Sequence, residues 1–185
     1  FTCLLASELV GIASDTPLIT ITLRRSKYDS CRNSRLEEWS KFAVYAEERG
    51  YQVVVIPDSE NPNELGSIPN KYVHPVFSHN LELRAALYQL SHCNLGVANG
   101  PMILSTLNSK VPSTILMNIC PDGSEVSVPS AWNAIGLTPG DPYFWYNKKT
   151  INSTLPDNFE NILNLFSSLK LDGHPNKSVP FFALK

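Results

Sequence analysis

Four of the six arginines in this 185-residue chain fall within twelve positions, as Arg24, Arg25, Arg32 and Arg35, joined by Lys27 and opposed by one acid, Asp29. Guanidinium groups grip phosphate oxygens in bidentate fashion, so such a cluster suits a small, highly charged anion. The rest of the chain does not share the excess: 15 basic residues face 17 acidic ones, a formal net charge of −2. A long polyanion needs a basic face spread over many residues, so nucleic acid is not the expected partner. A merely solvated loop is the weaker reading of the cluster, because solvated surfaces mix the signs of charge.

Asn99-Gly100-Pro101, followed by Met102 and Ser105, is a second anion candidate. Gly allows close approach of the backbone, and Pro near the first helical position presets a turn without removing a needed donor. The amides of Met102, Ile103 and Leu104 would then face the anion, with the Ser105 hydroxyl beside them. A Gly-Pro turn also serves simply as a turn. Asp58 closes a hydrophobic run and is either a ligand-facing carboxylate or an ordinary turn residue. His79, with His74, is of the residue type suited to acid–base work, though a structural or simply exposed role is the commoner one for either. The aromatic stretch from Trp132 to Tyr146 would stack a sugar or a base, or pack as a loop on the sheet.

Absences narrow the field. The sequence has no G-x-x-x-x-G-K-[ST] loop, no G-x-G-x-x-G after a strand and no G-x-S-x-G elbow. These exclude P-loop, ordinary dinucleotide and standard α/β-hydrolase chemistry. There is also no Asp-x-Asp pair to hold a metal–diphosphate. Cys3, Cys31, Cys93 and Cys120 form no close pair, so neither a zinc site nor a disulfide framework is expected. No metal ligand and no cofactor are assigned. The chain lacks a run of about 18 apolar residues, so no transmembrane segment is expected. Free cysteines and the lack of a basic-then-apolar leader point to a reducing, cytoplasmic setting.

Hydrophobic patterning supplies the scaffold. Leu18-Ile19-Thr20-Ile21-Thr22-Leu23 and Tyr51 to Ile56 read as strands buried on both faces, as in a parallel sheet. Between them, Ser34 and Glu37 form a capping box for a helix that Gly50 ends. Val73 to Phe77 reads as a short strand, Leu83 to Leu90 as a helix, Asn94 to Ala98 and Ser113 to Ile119 as strands. Met102 to Asn108 predicts a short helix, and Asn158 to Lys170 a longer one opened by a box of Asp157 and Glu160. Residues 121–149 fit no element. Alternating strands and helices predict an α/β fold, a three-layer Rossmann-like single domain with a central, mostly parallel sheet. Residues 1–16 would form an N-terminal helical or linker segment, with Leu5, Leu9 and Ile12 marking a short helix over Cys3 to Ala13, and 171–185 a tail.

Ser91 to Pro101, then Leu104-Ser105 and Val111-Pro112 before a new strand, resembles the C-terminal, donor-binding half of GT-B glycosyltransferases. Ile19 to Arg25 looks like the opening strand of that half, and the paired Arg24-Arg25 is similar to the arginines that hold the donor diphosphate in the fucosyltransferase-like branch. The resemblance spans residues 17–120. It implies a nucleotide-sugar as donor substrate, with donor-diphosphate roles for Arg24, Arg25 and the Asn99-Gly100-Pro101 turn. It further implies a glycan or lipid-linked acceptor and a partner acceptor-binding domain, since a GT-B site lies between two Rossmann-like domains. Arg24 and Arg25 are thus assigned the stabilisation of the leaving diphosphate, while the residues read on their own chemistry make Lys27, Arg32, Arg35, Asp58, His79, Asn99, Gly100, Pro101, Met102 and Ser105 the substrate-binding candidates. Two other readings stay open: a non-catalytic module for a phosphorylated ligand or protein partner, and a phosphosugar isomerase or epimerase using His74 or His79 with Asp58.

Overall fold

The five residues Leu18–Thr22 are all buried and form the strand that two others flank, which is why the run carries almost no polarity. The computed structural model describes residues 2–12, 16–58 and 63–169. In chain order its elements are α1 (Thr2–Val10), β1 (Leu18–Thr22), α2 (Leu36–Glu48), β2 (Gln52–Ile56), α3 (Val76–His79), α4 (Leu81–Leu90), β3 (Cys93–Val97), α5 (Ile103–Leu107), β4 (Thr114–Met117), α6 (Pro129–Ala134), β5 (Thr150–Asn152) and α7 (Phe159–Ser168). The strands make one parallel sheet of order β2-β1-β3-β4-β5.

Helices cover both faces, and the two-residue period of the strands assigns the side chains. Val53 and Val55 pack with Trp39 and Phe42 of α2 and Phe166 of α7, whereas Val54 and Ile56 pack with Val10 of α1 and Leu87 of α4. The result is the three-layer Rossmann-like α/β fold that the alternation of patterns predicts. Thr20 and Thr22 face the α4 side, where Thr20 donates to Asn94 Oδ1 and Thr22 shares a 2.8 Å hydrogen bond with the Tyr88 hydroxyl. Gly96 is needed where β3 meets β1: a Cβ there would lie 2.6 Å from the Thr22 carbonyl oxygen.

Several local expectations change. Val73 to Phe77 is not a strand; Val73 makes a lone parallel bridge to Val55, and the chain then turns at Pro75 into α3. The Ser34–Glu37 box is not formed, because Ser34 Oγ accepts from the Arg24 amide and Arg35 is the N-cap of α2. Nor do Asp157 and Glu160 cap α7; Asn158 does, accepting from the Asn161 amide at 2.9 Å. The helix expected ahead of β1 does form, as α1, and it buries Ala6 and Val10 against α4. Residues 121–149 contain α6, and β5 adds a fifth strand that its three residues were too few to announce. The expected tail, 171–185, lies outside the described residues.

Candidate functional site

In this strand order the direction of winding reverses between β1 and β3, and open α/β sheets bind ligands in the crevice beyond the strand ends there. The loop leaving β1 is closed on itself: the Arg24 amide donates to Ser34 Oγ and the Ser34 amide to the Arg24 carbonyl. Inside it lies the Arg24 guanidinium, which donates to the carbonyls of Tyr28 and Asp29 at 2.7 and 3.0 Å and to Asn33 Oδ1 at 2.6 Å. Arg24 is therefore buried and organises the loop. The Arg25 amide donates to Asp58 Oδ2 at 2.9 Å, and its side chain pairs with Glu64 at 3.2 Å. Lys27 and Arg35 are exposed, with Arg35 Nε 3.8 Å from Asp157.

Arg32 is the arginine of the cluster that reaches the cleft. Its Nη2 donates to the carbonyl of Ala98, at the end of β3, at 2.9 Å, and Nη1 stands 3.7 Å from Asp29 Oδ2. Beside Ala98, Asn99 accepts from the Met102 amide through Oδ1 at 3.1 Å, and the Ile103 amide is taken by the carbonyls of Gly100 and Pro101. The Met102 and Ile103 amides are thus engaged locally, so the turn offers Gly100 and its accessible backbone rather than a row of open helix amides. Met102 and Ser105 are buried, Ser105 Oγ donating to the Met102 carbonyl at 2.7 Å. His79 is exposed on α3.

A cavity of about 240 Å³ opens over the ends of β3, β4 and β5 and brings Arg32, Asn99 and Gly100 together with Trp132, Tyr143 and Tyr146. Pockets that enclose a whole drug-sized ligand run to roughly 300–1,000 Å³, so this one fits part of a larger molecule. The aromatic wall is built: Tyr143 lies 5.0 Å from Trp132 and 5.2 Å from Tyr146, centroid to centroid. Burial pushes the Tyr146 hydroxyl up to about 12. Asn152 completes the wall; its Nδ2 donates to the Asp141 carbonyl at 2.8 Å, and Oδ1 has no hydrogen-bond partner among the described residues. Of the twelve residues assigned to the site from the sequence, Arg32, Asn99 and Gly100 line this cavity, as do Trp132, Tyr143 and Tyr146 of the aromatic stretch.

Among solved structures, the chain is similar to the glycosyl transferase family 9 protein of Veillonella parvula DSM 2008, at 16% identity and a TM-score of 0.53, and to E. coli ADP-heptose LPS heptosyltransferase II, at 13% and 0.50. This is the fold of two glycosyltransferases. The matched region covers 63% of this chain in both cases, but 34% and 37% of theirs, so the chain spans about a third of their length. At the level of fold this agrees with the Rossmann-like α/β domain expected from the sequence. No protein-family model matches the sequence, and no curated protein matches it.

Two groups went unread in the sequence. Asp29 was legible only as the lone acid among the basic residues, yet its carboxylate joins the β1 loop to the loop after β4 by accepting from Ser124 Oγ at 2.9 Å and the Glu125 amide at 3.2 Å. Burial by itself would raise this carboxyl; the hydrogen bonds from Cys31, Ser124 and Glu125, with the Arg32 charge, bring it below the usual carboxylate range. Asn152 sits on the unforeseen β5. Among the described residues, no three or more His, Cys, Asp or Glu side chains gather as metal ligands would, and no helix is long and apolar enough to cross a membrane.

Proposed function

We propose that the chain is the donor-binding half of a glycosyltransferase and holds a nucleoside-diphosphate sugar in the cleft beyond β3 and β4. One observation carries the reading: a guanidinium, a glycine turn and an aromatic wall share a single cavity at the ligand-binding edge of the sheet. Arg32 would take the diphosphate, Gly100 would let it approach the backbone, and Trp132 and Tyr143 would border the nucleoside. Arg24 serves by shaping the loop that carries Arg32, and the Arg25 backbone amide tethers that loop to Asp58.

In the transfer, the bond from the anomeric carbon to the diphosphate oxygen breaks and its electrons leave with the nucleoside diphosphate. A hydroxyl oxygen of a glycan or lipid-linked acceptor bonds to that carbon, and its proton passes to a base. Arg32 lowers the barrier by stabilising charge as it develops on the leaving oxygen. The described lining of the cavity contains neither a carboxylate nor a histidine. The base is then supplied by an acceptor-binding domain of a larger two-domain enzyme. The same lining also suits a non-catalytic module for a phosphorylated ligand. Turnover of a nucleotide-sugar by a two-domain form separates the two readings.

Calorimetry of the chain against ADP, UDP and GDP tests the site. At least one should bind, and Arg32→Ala should weaken it about tenfold or more, the equivalent of ~1.4 kcal/mol. No binding of any of the three at millimolar concentration, or equal affinity in Arg32→Ala, would reject the assignment.

A further inference from the structure

Among the described residues, the non-glycine positions with left-handed backbone are Asp29 and Asn118, both at φ 52°. Such conformations are uncommon outside glycine, persist only where the surroundings fix them, and gather at ligand clamps. Both residues lie where the loop after β1 meets the loop after β4, above the end of β3. Asn118 reaches across to the Cys31 carbonyl at 3.4 Å. Asp29 reaches the other way, to Ser124 and the Glu125 amide, with a side chain only 1% exposed.

The same Asp29 carboxylate also faces Arg32. Between the Ala98 carbonyl on one side and Asp29 on the other, the guanidinium is fixed against the cavity wall, and its Nε has no hydrogen-bond partner among the described residues. A bidentate grip on phosphate needs the guanidinium plane set beforehand, because a freely rotating arginine offers its donors in many directions. We propose that Asp29 is a positioning residue for anion binding at the end of β3: it ties the two flanking loops together and holds Arg32 ready to receive phosphate oxygens. The inference deepens the reading of the cleft as a diphosphate site and rests on it.

The test is a double-mutant cycle on the full chain, with ADP as the calorimetric probe. Asp29→Asn is the informative substitution, since Asn also tolerates the left-handed backbone and keeps an acceptor while losing the charge. It should weaken ADP binding about tenfold in the parent and less than about twofold further in the Arg32→Ala background. Equal losses in both backgrounds, or no loss in the parent, would overturn the proposal. A second readout needs no ligand: the Arg32 Nε–H resonance should be dispersed and slow to exchange in the parent and in Ser124→Ala retain more protection than in Asp29→Asn. An Asp29→Asn chain with an unchanged Arg32 resonance would also overturn it. A parent that binds no nucleoside diphosphate refutes the diphosphate reading itself, and the positioning role with it, even where the Arg32 resonance is ordered by Asp29.

Discussion

Trp39 donates its indole Nε1 to Asp157 Oδ2 at 2.7 Å, and Asp157 is wholly buried. The same oxygen accepts from the Arg35 amide at 2.9 Å, at the start of α2, while Glu38 of α2 accepts from the Phe159 amide that starts α7 at 2.7 Å. Each helix thus supplies or adjoins the carboxylate that satisfies an opening amide of the other, with the sign of charge that a helix N-terminus favours. This ties the α2–α7 layer to the end of the β1–α2 loop that carries Arg32.

Removing that tie should be costly. Asp157→Ala leaves the Trp39 indole and the Arg35 amide without their acceptor, and a buried donor left unsatisfied costs about 1–3 kcal/mol. A total loss of about 3 kcal/mol is expected in urea unfolding followed by circular dichroism. Combined with Trp39→Phe, the loss should fall short of the sum of the two single losses, because the pair shares one hydrogen bond. A loss under about 0.5 kcal/mol for Asp157→Ala would mean that the reciprocal arrangement contributes little.

The paired arginines should separate on substitution. Arg24 is buried and spends its guanidinium on three acceptors within the β1 loop, so Arg24→Ala should cost about 2–3 kcal/mol and weaken nucleoside-diphosphate binding by loosening Arg32. Arg25 makes a surface pair with Glu64, with side chains 29% and 55% exposed, and such pairs contribute about 0–1 kcal/mol. Arg25→Ala should leave stability and affinity close to those of the parent. Equal losses of affinity at Arg24 and Arg25 would instead favour the direct diphosphate contact by both that their pairing in the sequence suggests.

The contrast between Arg24 and Arg32 marks what the sequence could convey. Runs such as Leu18 to Thr22 announce a strand buried on both faces because hydrophobicity and β-branching are local properties, and the fold class follows from their alternation with helical patterns. The basic cluster was likewise visible, as was its position after β1. Which arginine lines the cavity was not, because that depends on Ser34 and Asn33 closing a loop around Arg24 and on Ala98 arriving from a distant strand. Capping boxes failed for the same reason. Ser34 and Asp157 have the right chemistry at the right spacing, but partners distant in sequence claim their oxygens first. The β5 strand carries three residues, too few to establish a period of two, and with it the Asn152 side of the cavity was hidden.

Asp29 gives the fold a pH dependence of definite sign. Its carboxyl is held below the usual range despite burial, by hydrogen bonds from Cys31, Ser124 and the Glu125 amide and by Arg32, so the fold favours the ionised form. In the unfolded chain the group returns to an ordinary value of about 3.9. Its contribution to stability is then complete above that value and is lost as pH falls through the lower, folded one. The stability gap between the parent and Asp29→Asn should stay constant from about pH 7 to pH 5 and narrow below about pH 4, measured as urea unfolding at each pH. A gap that is flat to the lowest pH at which both chains fold, or that widens with acid, would show that the charge on Asp29 does not stabilise the junction between the two loops. Narrowing confined to the acid side is the outcome that ties the Ser124 and Arg32 contacts to one ionised carboxylate.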